Sequence, residues 1–244
     1  MSNFSPNLPI DDIKLVVMST INKKIKDRVE ALGIRVISTE TLPMLLPFEQ
    51  THADMQFFHF SKDTLFILKE CEYNSFNFKN HFKKIIICEK EIGLKYPDNV
   101  LLNAVSIVDK IICNPNTIDS TILKLVNENN FKILKTKQGY TKCSTCIVSK
   151  NAIITSDKSI QKASKEYFDV LLIEPGNIDL PGTNYGFIGG CSFKLNKSTL
   201  AFTGNIKLHP NFEKIKSFCR NHNVYLQSLT NENLLDIGSI IPIL

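Results

Sequence analysis

Short apolar runs recur along the chain, each preceded by a polar two-residue turn whose second member is Lys. The turns Ser61-Lys62, Asp109-Lys110, Ser149-Lys150 and Asn196-Lys197 lead into Leu65-Phe66-Ile67-Leu68, Ile111-Ile112-Cys113, Ala152-Ile153-Ile154 and Leu200-Ala201-Phe202. These runs are rich in residues that suit a pleated, buried surface, and they predict strands. The first members of the turns lie 48, 40 and 47 residues apart. A period of that length predicts an array of like units.

Helical spacing sits at a fixed place in each unit. Ile21, Ile25, Val29 and Leu32 form one stripe that stops at Gly33; Ile118, Ile122, Leu125 and Val126 follow Thr117; Ile160, Ala163, Ser164 and Tyr167 follow Asp157; Phe212, Ile215 and Phe218 follow Pro210. Thr117 and Asp157 are the predicted N-caps, because an oxygen side chain there accepts from an unpaired N–H of the first turn, and Pro210 suits a first helical turn. The segment 72–82, with Asn74, Asn77 and Asn80, is the least regular of the predicted helices. Closing strands follow at 85–87, 131–134, 170–173 and 224–226.

Four units are complete in this way, and the fifth is split. The chain ends in an apolar segment, 237–244, and begins with Ile13-Lys14-Leu15-Val16-Val17, which together supply a hairpin before the helix at 21–32 and the strand at Val36-Ile37. The expected fold is α/β, a five-fold pseudosymmetric β/α propeller of ββαβ-type modules in one domain, 1–244, its last module closed by the N- and C-terminal segments. A ring closed by its own ends leaves no open sheet edge in the cycle.

At 244 residues and 43% hydrophobic content the chain can bury a full core. The net charge of +5 is spread without a dense basic run, which argues against a nucleic-acid partner. No apolar run reaches the length of a membrane span, and Met1 to Pro9 lack the pattern of an export signal, so a cytoplasmic location is expected. Seven cysteines are read as reduced thiols, with Cys71, Cys88, Cys113 and Cys219 assigned to the core. His59, His81 and His222 sit in surface-like contexts, and His209 before Pro210 serves the backbone.

The chemical content collects at the start of each unit's first strand: His52 and Asp54, Asn103, Cys143 and Cys146, Gly189-Gly190-Cys191, and Asp236. Polar groups brought to one axis are costly unless they bond one another or do work, and mutual hydrogen bonding stands beside catalysis as an account of them. On a strand, His52 and Asp54 at i and i+2 share a face. Imidazole can move a proton near neutral pH, and a carboxylate can grip a planar cation. The string Cys143-Ser144-Thr145-Cys146 matches C-x-x-C, but with no second thiol pair, and with i and i+3 on opposite faces of a strand, a zinc site and a redox pair are minor options, and no metal or cofactor is expected. Cys143 is expected at the cavity mouth as the nucleophile, with Cys146 and Cys191 as second choices.

The five-unit repeat, the H-x-D string at His52-Ala53-Asp54 and a Cys two units later resemble the pentein superfamily of guanidine-modifying enzymes. The resemblance implies Cys143 as nucleophile, His52 as general acid/base, and Asp54 and Asp236 as the carboxylates that grip substrate in a hydrolase or amidinotransferase acting on a small guanidine or amidine; Asn103, from its place at a strand start, is expected beside them as a substrate-binding group. Relative to those enzymes the chain looks circularly permuted, and it lacks a Glu-Gly-Gly-Asp string. The strings His52-Ala53-Asp54-Met55, Gly139-Tyr140-Thr141-Lys142-Cys143-Ser144-Thr145-Cys146, Tyr185-Gly186-Phe187-Ile188-Gly189-Gly190 and Asp236-Ile237-Gly238 resemble an uncharacterised bacterial family. The alternative is a non-catalytic binding module, since the ribosome anti-association factors also resemble a five-unit ring and need no thiol.

Overall fold

The computed structural model describes residues 5–244; residues 1–4, part of the segment examined for an export signal, lie outside it. The chain opens with β1 (Leu15–Met18), α1 (Lys23–Glu30) and β2 (Arg35–Ser38). The next unit holds α2 (Ala53–Gln56), β3 (Phe57–Ser61), β4 (Thr64–Ile67) and β5 (Lys84–Ile87). Then come β6 (Val105–Ile107), β7 (Lys110–Cys113), α3 (Ser120–Glu128) and β8 (Lys132–Lys135), followed by β9 (Thr145–Ser149), β10 (Ala152–Thr155), α4 (Lys158–Ser164) and β11 (Asp169–Leu172). The last elements are β12 (Ser192–Asn196), β13 (Thr199–Phe202), α5 (Phe212–Asn221), β14 (Tyr225–Ser228) and β15 (Ile240–Pro242).

The strands form five separate three-stranded sheets, each with a central strand antiparallel to its hairpin partner and parallel to the strand after the helix. The terminal segments obey the same rule: β15 pairs antiparallel with β1, Val17 opposite Ile241, and β1 pairs parallel with β2. The fifth unit is therefore assembled from both ends of the chain, as the split pattern predicts.

Central strands are apolar on both faces because each face meets a different neighbour. Ile111 and Cys113 of β7 share a cluster with Phe60, Leu65 and Phe66 of the first unit, while Ile112 between them joins Ile153 and Ile160 of the third. Ala152 and Ile154 of β10 cluster with Leu200 and Phe202, and Ala201 of β13 clusters with Val16, Met18 and Ile240. Leu15, Val17 and Ile241 then join the first unit's cluster. Every pair of successive units shares a core in this way.

Several local expectations need correction. Helix α3 is capped by Asp119, whose carboxylate accepts from Thr121 N; Thr117 lies before it and donates to Asn114 O instead. Pro210 precedes the Asn211 cap of α5 rather than entering its first turn. Ile25 and Val29 face the core, but Ile21 and Leu32 lie beyond the ends of α1 and are exposed. The Asn-rich segment forms a 3-10 helix, Lys69–Phe78. His52-Ala53-Asp54 is not strand: His52 is extended and Asp54 sits in the single turn of α2. His59 is buried, its Nδ1 3.1 Å from Pro242 O, rather than at the surface.

Candidate functional site

The segments entering the five first strands meet, and short bonds between backbones and one amide hold them. Asp54 N donates to Gly238 O at 3.0 Å, Gly190 N to Cys143 O at 2.9 Å, and Ser239 N to Gly190 O at 3.0 Å. Asn103 Oδ1 accepts from Lys142 N at 2.7 Å and Cys143 N at 3.3 Å, while its Nδ2 donates to Asp54 O at 3.3 Å. Two glycines permit this approach. A Cβ on Gly190 would lie 1.9 Å from Asp236 Oδ1, and one on Gly238, at φ +71°, would lie 2.1 Å from His52 Cβ.

Four of the sequence-predicted residues fall together at this point: His52, Asp54, Asn103 and Cys143. Cys143 Sγ donates to Asp54 Oδ2 at 2.9 Å and sits 3.3 Å from Asn103 Nδ2. One donor atom each from His52, Asp54 and Cys143 lies within 4.8 Å of the others. Ser239 Oγ donates to the same Asp54 oxygen at 2.5 Å and accepts from Lys142 Nζ at 3.1 Å. Asp54 Oδ1 is buried and has no partner.

Burial governs the protonation of the group. It pushes the Cys143 thiol well above its usual range, and the charges of Asp54 and Asp236 push the same way. Burial lowers the His52 imidazole against an opposing pull from Asp54, and lowers the Lys142 ammonium against Asp54 and the neighbouring thiols. Cys143 therefore rests as a thiol that donates to Asp54 Oδ2, beside the His52 ring.

Asp236 lies in the adjoining loop with both oxygens engaged, Oδ2 by Phe187 N at 2.8 Å and Oδ1 by Gly238 N at 2.9 Å. Burial raises its carboxyl to about 6 against those two bonds. Cys143 is 2% exposed and occupies the turn before β9, so it is not the solvent-facing thiol expected at a cavity mouth; Cys146 in β9 is fully buried too. The sulfur of Cys146 turns to Ser192, and that of Cys191 to Ile188 O at 3.4 Å. Neither belongs to the cluster with His52.

Lys142 and Ser239 were missed from the sequence. Ser239 does occupy the same strand-entry position as the other four groups, which is the signal that finds it. A second buried network, Glu49 with Asn99 at 2.8 Å and Tyr140 at 3.1 Å, ties the segment before His52 to the one before Cys143. The cavity beside Lys142, lined also by Asn7, Ser192 and Lys194, holds about 10 Å³, the space of one water.

No curated protein matches the sequence. Solved structures that resemble the fold include an amidinotransferase of the saxitoxin biosynthetic pathway from Microseira wollei, at 8% identity and TM-score 0.61, with 99% of this chain and 97% of that one covered. The inosamine-phosphate amidinotransferase from Streptomyces griseus gives 7% identity, TM-score 0.59, and coverage of 100% and 97%. DDAH from Pseudomonas aeruginosa gives 8%, 0.56, and coverage of 89% and 92%. These neighbours are members of the pentein superfamily, and the likeness is one of fold. No helix among the described residues is long and apolar enough to cross a membrane. Over residues 16–241 the sequence matches the model of a family of unknown function, DUF6873, and the chain belongs to that family.

Proposed function

We propose that the five sheets close into one ring-shaped domain and that the chain is a cysteine-dependent enzyme acting on a small guanidine or amidine. The observation that carries this reading is the gathering of His52, Asp54 and Cys143 from two separate units within 4.8 Å, in a fold shared with two amidinotransferases. Asp54 presents the acceptor for a cationic N–H, its Oδ1 being unpartnered.

The chemistry proceeds in two halves. A guanidinium or amidinium displaces the thiol from Asp54, and its positive charge favours the thiolate. Neutral His52 takes the thiol proton, Cys143 Sγ bonds to the central carbon, and the departing amine leaves with that proton. Water in a hydrolase, or an acceptor amine in an amidinotransferase, then attacks the same carbon and gives its proton to His52, and the C–S bond breaks to release the product and the Cys143 sulfur. Asn103 orients the Cys143 turn, and Asp236 contributes negative charge to the cavity while shaping the Gly190 and Gly238 loops.

The burial of Cys143, which is 2% exposed, favours the second reading, a non-catalytic binding module. Quenched mixtures with arginine, agmatine and simple amidines, with and without an acceptor amine, separate the two. The enzyme reading expects consumption of one of these compounds and an adduct on Cys143 by intact mass, both lost in Cys143→Ser. No consumption and no adduct with any of them would leave the binding module.

A further inference from the structure

The cluster at the meeting point has unmet bonding capacity of a particular kind. Asp54 Oδ2 takes two donors while its buried Oδ1 takes none. His52 makes no capping bond to the helix it precedes, and its ring is coupled to Asp54 by charge. Both lie against a thiol in a buried space. A polar network that existed only to satisfy itself would close these valences.

An imidazole nitrogen, a carboxylate oxygen and a thiolate sulfur are the donor types that Zn²⁺ accepts in four-coordinate sites, and the thiolate and imidazole exclude Mg²⁺ and Ca²⁺. Their mutual separation, all within 4.8 Å, fits donors arranged around one ion. Charge balances as well. When the ion binds, the Cys143 proton leaves for solvent, and the thiolate and Asp54 offset the two positive charges.

The surroundings hold the donors in place. Ser239 donates to Asp54 Oδ2 and is itself held by Lys142 Nζ, and Asn103 Oδ1 fixes the Cys143 backbone. Partners of this sort orient metal ligands from outside the coordination sphere. The second thiol of the C-x-x-C string takes no part, because Cys146 turns to Ser192.

We propose that His52, Asp54 and Cys143 form a zinc-binding site with water in the fourth position. The ion occupies the sulfur that the catalytic reading uses, so zinc and covalent chemistry exclude each other and zinc acts as a reversible block. The binding itself goes beyond that reading and stands whether or not the thiol is a nucleophile.

The test is a Co²⁺ titration of the reduced, chelator-treated full chain, read by thiolate-to-cobalt charge-transfer absorption and its loss on adding Zn²⁺. One ion per chain is expected, with the band abolished in Cys143→Ser, the affinity lowered by at least about 10-fold in His52→Ala and in the shape-conserving Asp54→Asn, and both unchanged in Cys113→Ala. Circular dichroism identifies any variant that has lost its fold. No band in the unsubstituted chain, or a band that survives in folded Cys143→Ser, overturns the proposal. The guanidine assay is run on chelator-treated, metal-free protein, so its outcome is independent of this one.

Discussion

At the scale of the residue, Asn103 joins three segments through one neutral side chain, accepting from Lys142 N and Cys143 N and donating to Asp54 O. Asn103→Ala leaves two buried N–H groups unpaired, at roughly 1–3 kcal/mol each, so a loss of about 2–6 kcal/mol is expected. Urea unfolding measures it, and a loss below about 1 kcal/mol would contradict the role given to this amide. Asn103 was legible in the sequence because it occupies a strand entry where a core filler belongs. Lys142 and His59 were not. A lysine or a histidine reads as solvated by its residue type, and only the packing of neighbouring units buries these two, Lys142 at 6% and His59 at 2% exposure. Ser239 escaped notice because a hydroxyl carries no charge to mark it, although its Oγ completes the link from Lys142 to Asp54.

At the scale of the element, the alternation within β7, β10 and β13 carried most of the fold: residues at i and i+1 enter different clusters, so the apolar run and the repeat are one signal. The pairing of β1 with β15 followed from the same repeat, since two unmatched half-hairpins remained at the ends. Boundaries were less legible. Thr117 and Asp119 are both good caps, and the choice falls to Asp119 because its carboxylate reaches Thr121 N at 2.8 Å. The entry at His52-Ala53-Asp54 reads locally as strand, yet Asp54 N bonds Gly238 O and Met55 N bonds His52 O, which curls it into one helical turn. His52 and Asp54 remain neighbours by this different geometry. Cys143 and Cys146 diverge for a related reason, one lying in a turn and the other in β9.

At the scale of the whole molecule, seven buried thiols make stability depend on alkaline pH. Burial raises all of them, Cys146 to about 11 and Cys71 and Cys113 to about 12. Unfolded thiols ionise from about pH 9 while the folded ones keep their protons, so the folded state binds more protons and stability falls as pH rises above that point, by up to roughly 1.4 kcal/mol per thiol per pH unit. Lys194, lowered to about 8 by burial, and Lys142, lowered for the same reason, work in the opposite sense, two groups against seven. The urea midpoint is expected to drop steeply between about pH 8.5 and 10, and a midpoint that holds steady across this range would contradict the burial of the thiols.

The central claim is that the units bring a thiol, an imidazole and a carboxylate together at a place that recognises a planar cation. A pair of alkylating agents alike in size and leaving group, a cationic haloacetamidine and a neutral haloacetamide, tests it on metal-free protein with mass-spectrometric mapping of the labelled cysteine. The account predicts that the amidine labels Cys143 at least about 10-fold faster than the amide, with the preference lost in Asp54→Asn, because the carboxylate binds the cation and the cation favours the thiolate. Equal labelling by the two reagents, or labelling spread evenly over the seven cysteines, would contradict it.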